Sequence, residues 1–211
     1  MEPELRALGH DTVAPDLPVE HSPTLGECAD SVVQAAGVQS APVAVVAQSF
    51  GSFVAPLVVE RLPTRVLVLV AGMVPAPGEP PDLWWENTGY AIAVRQQAAI
   101  DDGLTGNDDP FVSFFHDVPR PLAEEAMRRE RAEGTIVGLD EPWPLDAWPA
   151  VPTRFVLCTE DRFFPPDFTR SVVTERLGIE SDEIEAGHCV ALSRPAELAL
   201  MLDGYVSDAR A

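Results

Sequence analysis

The chain has 211 residues, 46% of them hydrophobic, and a formal net charge of −20 at pH 7; that is enough apolar chain for one domain with a substantial core. So acidic a balance argues against nucleic acid or an anionic membrane as a partner, because like charges repel. The longest apolar stretch, residues 66–74, is too short to span a bilayer, and no charged-then-apolar leader is visible, so a cytoplasmic location is expected.

Along the chain, Thr24-Leu25-Gly26-Glu27 has the pattern of a capping box opening a helix that Gly37 ends. Residues 42–47 are a short continuous apolar run, as expected of a parallel strand buried on both faces. The run stops on Ser49, and residues 52–61 then read as a helix before a second buried strand over 65–71. Pro75, Pro77, Pro80 and Pro81 break regular structure after it. Residues 82–149 change character: they hold all four tryptophans, Trp84, Trp85, Trp143 and Trp148, and a helical segment over 121–129. An insertion of this kind between strands of an α/β fold is expected to form a cap. Residues 153–158 read as a third strand, 168–177 as a helix stopped by Gly178, 182–186 as a short strand, and 195–206 as a helix capped by Ser193.

Chemistry concentrates at strand ends. Ala47-Gln48-Ser49-Phe50-Gly51 places a serine between very small second neighbours, as in a turn where a strand reverses sharply into a helix. A serine nucleophile needs a base and the base an orienting acid, and Asp161 and His188 follow the third and fourth predicted strands. Glu160 and Asp167 are rival acids, and spacing alone does not separate Asp161 from Glu160. Cys28, Cys158 and Cys189 are odd in number with no CxxC spacing, so neither a disulfide framework nor a metal site is expected. Cys158 reads as a core thiol, and Cys189, although next to His188, is expected to point away from it. His10 and His21 fall outside the pattern and are expected to be exposed. Arg128, Arg129 and Arg131 read as a solvated helix face.

The order Ser49, Asp161, His188 is that of α/β-hydrolases. With residues 9–18, the elbow, residues 73–78, residues 158–161 and Gly187-His188 matching in order, the chain resembles the esterase, methylesterase and hydroxynitrile-lyase-like branch of that superfamily. The resemblance implies an α/β fold, a mostly parallel sheet flanked by helices, with residues 1–81 and 150–211 as the core and 82–149 as the helical cap. It implies Ser49 as nucleophile, His188 as general base, Asp161 as its acid and the Phe50 amide as an oxyanion donor. Met73, Trp84 and His116 are candidates to line a substrate pocket, although cap packing is the simpler account of His116 and of most of the tryptophans. The implied function is a serine hydrolase, carboxylesterase-like, cleaving a small and mostly apolar ester through an acyl-enzyme, with no cofactor and no metal. A hydroxynitrile-type lyase using the same residues, or a non-catalytic or truncated binding protein, is the alternative. The resemblance also calls for a strand and His-Gly loop ahead of Gly9, supplying a second oxyanion amide; the chain is expected to be N-terminally shortened there. Residues 11–15 must then either pair with strand 43–47 or leave a gap beside it.

Overall fold

The strands are the largely apolar β1 (Val43–Gln48), β2 (Thr64–Val70) and β3 (Thr153–Cys158) and the short, acidic β4 (Asp182–Ile184). The computed structural model describes residues 1–18, 22–129 and 136–209. All neighbouring strands pair in parallel, in the spatial order β1-β2-β3-β4. Alternate residues enter opposite layers: Leu67, Leu69, Phe155 and Leu157 join one core, and Val66, Val68, Val70, Val156 and Cys158 the other. Burial on both faces explains why β2 and β3 read as continuous apolar runs rather than alternating ones; β1, expected to be buried likewise, has only Val45 in the core because its outer edge is open.

Helices α1 (Glu2–Ala7), α2 (Leu25–Ala36) and α3 (Ala55–Val59) come first. Four helices, α4 (Trp84–Asn87), α5 (Tyr90–Ile100), α6 (Pro110–Ser113) and α7 (Arg120–Arg129), lie in the long β2–β3 connection. The helix α8 (Pro166–Leu177) joins β3 to β4, and α9 (Val190–Ser193) and α10 (Pro195–Asp208) close the described chain. One face of the sheet is covered by α2, α3 and α8, the other by α1 and α10. The capping box forms, with the Glu27 amide donating to Thr24 Oγ1 at 3.2 Å and the Thr24 amide to the Glu27 carboxylate at 2.8 Å. Gly37 and Gly178 end their helices at positive φ, +65° and +66°.

Three local expectations need correction. Residues 52–61 do not form one helix: a 3₁₀ turn over Ser49–Phe53 precedes α3, which spans only Ala55–Val59. Pro56 has no N–H to donate back into the previous turn, so the α ladder begins around it. Ser193 is not the cap of α10; Arg194 occupies that position, Pro195 begins the helix, and the buried Ser193 hydroxyl has no partner. His10 is half-buried, its Nε2 lying 2.8 Å from Asp203 Oδ1. Arg128 and Arg129 do lie exposed, paired with Glu125, whereas His21 and Arg131 lie outside the described residues.

Residues 11–18 contain no strand and do not pair with β1, so of the two arrangements expected beside it the gap is present. Among the described residues no strand covers the outer edge of β1. Val46, in the middle of that strand, is 45% exposed, and Val13 is 59% exposed. A groove of about 420 Å³ runs along this edge, with Met1, Leu5, Val13, Val46 and Leu202 among its walls. Among the described residues no helix is long and apolar enough to cross a membrane.

The β2–β3 connection is anchored to α8 by a buried ion pair. Arg176 grips Glu79 with both guanidinium ends, at 2.6 and 2.8 Å, and also donates to the Val74 carbonyl at 2.8 Å. Burial raises the cost of the Glu79 charge, but hydrogen bonds from Arg176 and Asn87 outweigh it and hold the carboxyl below its usual range. A carboxyl lowered by folding contributes stability above its unfolded pKa and loses it as pH falls through the folded one. Glu79→Ala, which strands a buried guanidinium, is expected to cost about 3 kcal/mol in urea unfolding at pH 7. The difference from the wild type should shrink steadily in the same measurement below about pH 4.

Candidate active site

The site is built where the strands end. Ser49 follows β1 directly and has φ +52°, a left-handed conformation uncommon for a residue with a Cβ and costing about 1–3 kcal/mol. The turn is held by the Met73 amide donating to the Ser49 carbonyl at 3.1 Å. A Cβ added to Gly51 would meet that of Ala47 at 3.5 Å, so the two small residues stand in van der Waals reach across the turn. The Phe50 amide lies in the first turn of the 3₁₀ segment, where N–H groups have no carbonyl behind them.

Asp161 and His188, from the loops after β3 and β4, meet this serine. His188 Nε2 lies 3.1 Å from Ser49 Oγ, and its Nδ1 lies 2.7 Å from Asp161 Oδ2. Asp161 Oδ1 accepts from the amides of Phe163 and Phe164 at 2.8 and 2.9 Å, which fixes the plane of the carboxylate. A carboxylate can only accept, so Nδ1 carries the proton and Nε2 presents its lone pair to the serine hydroxyl. Both Asp161 and His188 are buried, at 4% and 3% exposed. The rings of Phe114, Phe163 and Phe164 surround the imidazole with centroids 5.2–5.3 Å away. The rival acids stand elsewhere: Asp167 pairs with Arg170, and Glu160 is exposed.

Met73 and Trp84 lie in the core, 2% and 1% exposed, with Trp84 Nε1 donating to the Val74 carbonyl at 2.9 Å; in this conformation they offer a ligand almost no surface. His116 lines a cavity of about 440 Å³ with Asp101, Thr105, Glu160, Asp161 and Arg162. Neither Ser49 nor His188 is in its walls; of the three residues in the Ser49–His188–Asp161 chain it touches Asp161. Two further side chains hold the His188 loop without any local signal as strong as the elbow. The Gln48 side chain donates to the His188 carbonyl at 2.6 Å, and the Asp117 carboxylate accepts from the Gly187 amide at 2.8 Å. Gln48 is at least adjacent to the serine in sequence; nothing local marks Asp117.

Among the described residues no group of three or more His, Cys, Asp or Glu side chains is placed to hold a metal. A sequence profile of the alpha/beta hydrolase family matches residues 3–199, and the chain belongs to that family. Among curated proteins none matches it by sequence. Solved structures do match. Polyneuridine aldehyde esterase superposes with a TM-score of 0.71 at 19% identity, over 96% of this chain and 91% of the other. A pyrethroid hydrolase from Sphingobium faniae JZ-2 gives 0.70 at 18% identity, over 98% and 90%. A variant of tomato methylketone synthase I complexed with beta-ketoheptanoate gives 0.74 at 15%, over 99% and 90%. At these identities the likeness is one of fold.

The neighbouring thiol is a poor nucleophile. Burial, followed by the negative charges of Asp161 and Asp117, pushes Cys189 up to about 12. The thiolate is the reactive form, so at pH 8 Cys189 should be alkylated by iodoacetamide far more slowly than an exposed cysteine. Peptide mass spectrometry over a time course reads this directly, and alkylation at the rate of a free thiol would contradict it.

Proposed function

We propose that this chain is a serine hydrolase of the carboxylesterase type, cleaving a small, mostly apolar ester with residues 82–149 acting as its cap. The observation that carries the reading is the continuous hydrogen-bonded chain from Ser49 Oγ through His188 to Asp161. In the proposed mechanism Nε2 of His188 takes the hydroxyl proton as Ser49 attacks the carbonyl carbon. Asp161 holds the Nδ1–H tautomer and stabilises the imidazolium that forms. The Phe50 amide faces the developing oxyanion. His188 then gives its proton to the leaving alkoxide, and water, activated by the same imidazole, hydrolyses the acyl-enzyme. The half-buried rings of Phe114 and Phe163, 4.4 Å apart beside His188, support an apolar acyl or alkyl group.

A second reading, a non-catalytic hydrolase-like binding protein, draws on the uncovered outer edge of β1, the strand that leads into Ser49. A missing oxyanion donor costs about 10²–10³ in rate, so a complete side-chain triad does not guarantee turnover. Two measurements separate the readings. A fluorophosphonate probe should label the wild type at Ser49, with labelling abolished in Ser49→Ala and His188→Ala. Hydrolysis of short p-nitrophenyl esters should fall about 10⁴-fold in Asp161→Asn, which permits the wrong tautomer. Labelling without turnover would favour the binding protein, and labelling that persists in Ser49→Ala would place the nucleophile elsewhere.

A further inference from the structure

The four residues Phe114-Phe115-His116-Asp117, between α6 and α7, reach both loops that carry the acid and the base. His116 Nε2 lies 2.9 Å from the carbonyl oxygen of Glu160, the residue before Asp161. Asp117 Oδ2 accepts from the amide of Gly187, the residue before His188, at 2.8 Å. The Phe114 ring stands edge-on to the imidazole. One dipeptide therefore binds the main chain immediately upstream of each member of the Asp161–His188 pair.

The fit leaves no slack. A Cβ at Gly187 would come within 2.6 Å of His116 Nε2 and 2.7 Å of Asp117 Oδ1. Glycine is needed there because of side chains arriving from another part of the chain, since its φ is not in the left-handed region. The other oxygen of Asp117, Oδ1, is buried and has no hydrogen-bond partner. A half-desolvated carboxylate with one oxygen unsatisfied is a costly way to fill space, and a neutral side chain would pack there at lower cost. The charge-assisted bond to Gly187 is what this carboxylate contributes in return.

We propose that Asp117 is a positioning residue that ties the His188 loop to the cap, while His116 ties the Asp161 loop to the same point. The alignment of acid, base and serine then depends on the cap being seated, and lifting residues 114–117 unlatches the imidazole. This rests on the triad reading above for its catalytic meaning, but the clasp itself can be tested without turnover.

The experiment uses the full chain labelled with nitrogen-15. In the wild type the His188 Nδ1–H, bonded to Asp161, is expected to give a downfield proton resonance. The pH profile of fluorophosphonate labelling at Ser49 is measured alongside it. Asp117→Ala should broaden or abolish the resonance and slow labelling roughly 10- to 100-fold at unchanged far-UV circular dichroism. Asp117→Asn, whose amide oxygen can still accept from Gly187, should restore both. An unchanged resonance and labelling profile in Asp117→Ala overturns the proposal, and so does an Asp117→Asn variant as impaired as the alanine. Should Asp117→Ala fail to fold, Gly187→Ala makes the same test, since its methyl displaces the clasp; an unperturbed His188 resonance there overturns the proposal. A wild type that resists the probe yet shows a resonance dependent on Asp117 sinks the hydrolase reading and leaves the clasp. Equal labelling and resonance in wild type and Asp117→Ala does the reverse.

Discussion

Parallel pairing is the constraint on which the rest of this molecule depends. Because β1, β2, β3 and β4 all run the same way, the segments after β1, β3 and β4 emerge at one edge of the sheet. Ser49, Asp161 and His188 each occupy such a segment. Pairing alone does not bring them together, however: three strand spacings separate β1 from β4, about 14 Å. The loops must lean inward. The Glu160 amide donates to the Ala186 carbonyl at 3.0 Å, extending the β3–β4 pairing past the last strand residues. The Gln48 side chain then takes the His188 carbonyl from the far side of the sheet. Main-chain attachments at both ends of the gap thus place the imidazole over the serine, with the rings of Phe114, Phe163 and Phe164 packed around it.

What could be read from the sequence was whatever depends on neighbours in the chain. The strands β2 and β3 are legible because residues buried on both faces form long apolar runs, and the elbow because Ala47, Ser49 and Gly51 lie within five residues of one another. The order of Ser49, Asp161 and His188 follows from the order of the strands and so survives in one dimension. Errors arose where a local rule met a stronger one. Pro56 sits inside the stretch that reads as a single helix and divides it, because a proline without an N–H starts a new α ladder. Ser193 has the chemistry of a cap, but Pro195 sets the start of α10 and leaves Arg194 in the capping position.

The parts of the site that stayed illegible are those made by distant residues. Asp117 meets Gly187 across 70 positions, and Gln48 meets His188 across 140. Neither contact has a periodicity or a motif. The Glu79–Arg176 pair, 97 positions apart, is hidden for the same reason. In a chain with 34 acidic and 14 basic side chains, sequence alone cannot say which few of them are buried. Among the described residues most of the pairs that form are surface pairs, such as Arg120 with Glu124, worth little in water. The buried Glu79–Arg176 pair fixes where the β2–β3 connection leaves the sheet.

The uncovered edge of β1 makes the colloidal behaviour of this protein a matter of its charge. An exposed row of backbone donors and acceptors beside an apolar groove is a template for pairing with another chain. At neutral pH two molecules approaching edge to edge bring together two net charges of −20, and that repulsion acts well before the strands can touch. Near pH 4.3, where the sequence is isoelectric, the repulsion is gone while the edge remains. Acid would then favour association of the folded molecule through its sheet edge, which among the described residues no strand covers and which at neutral pH is shielded by the repulsion of the surplus carboxylates.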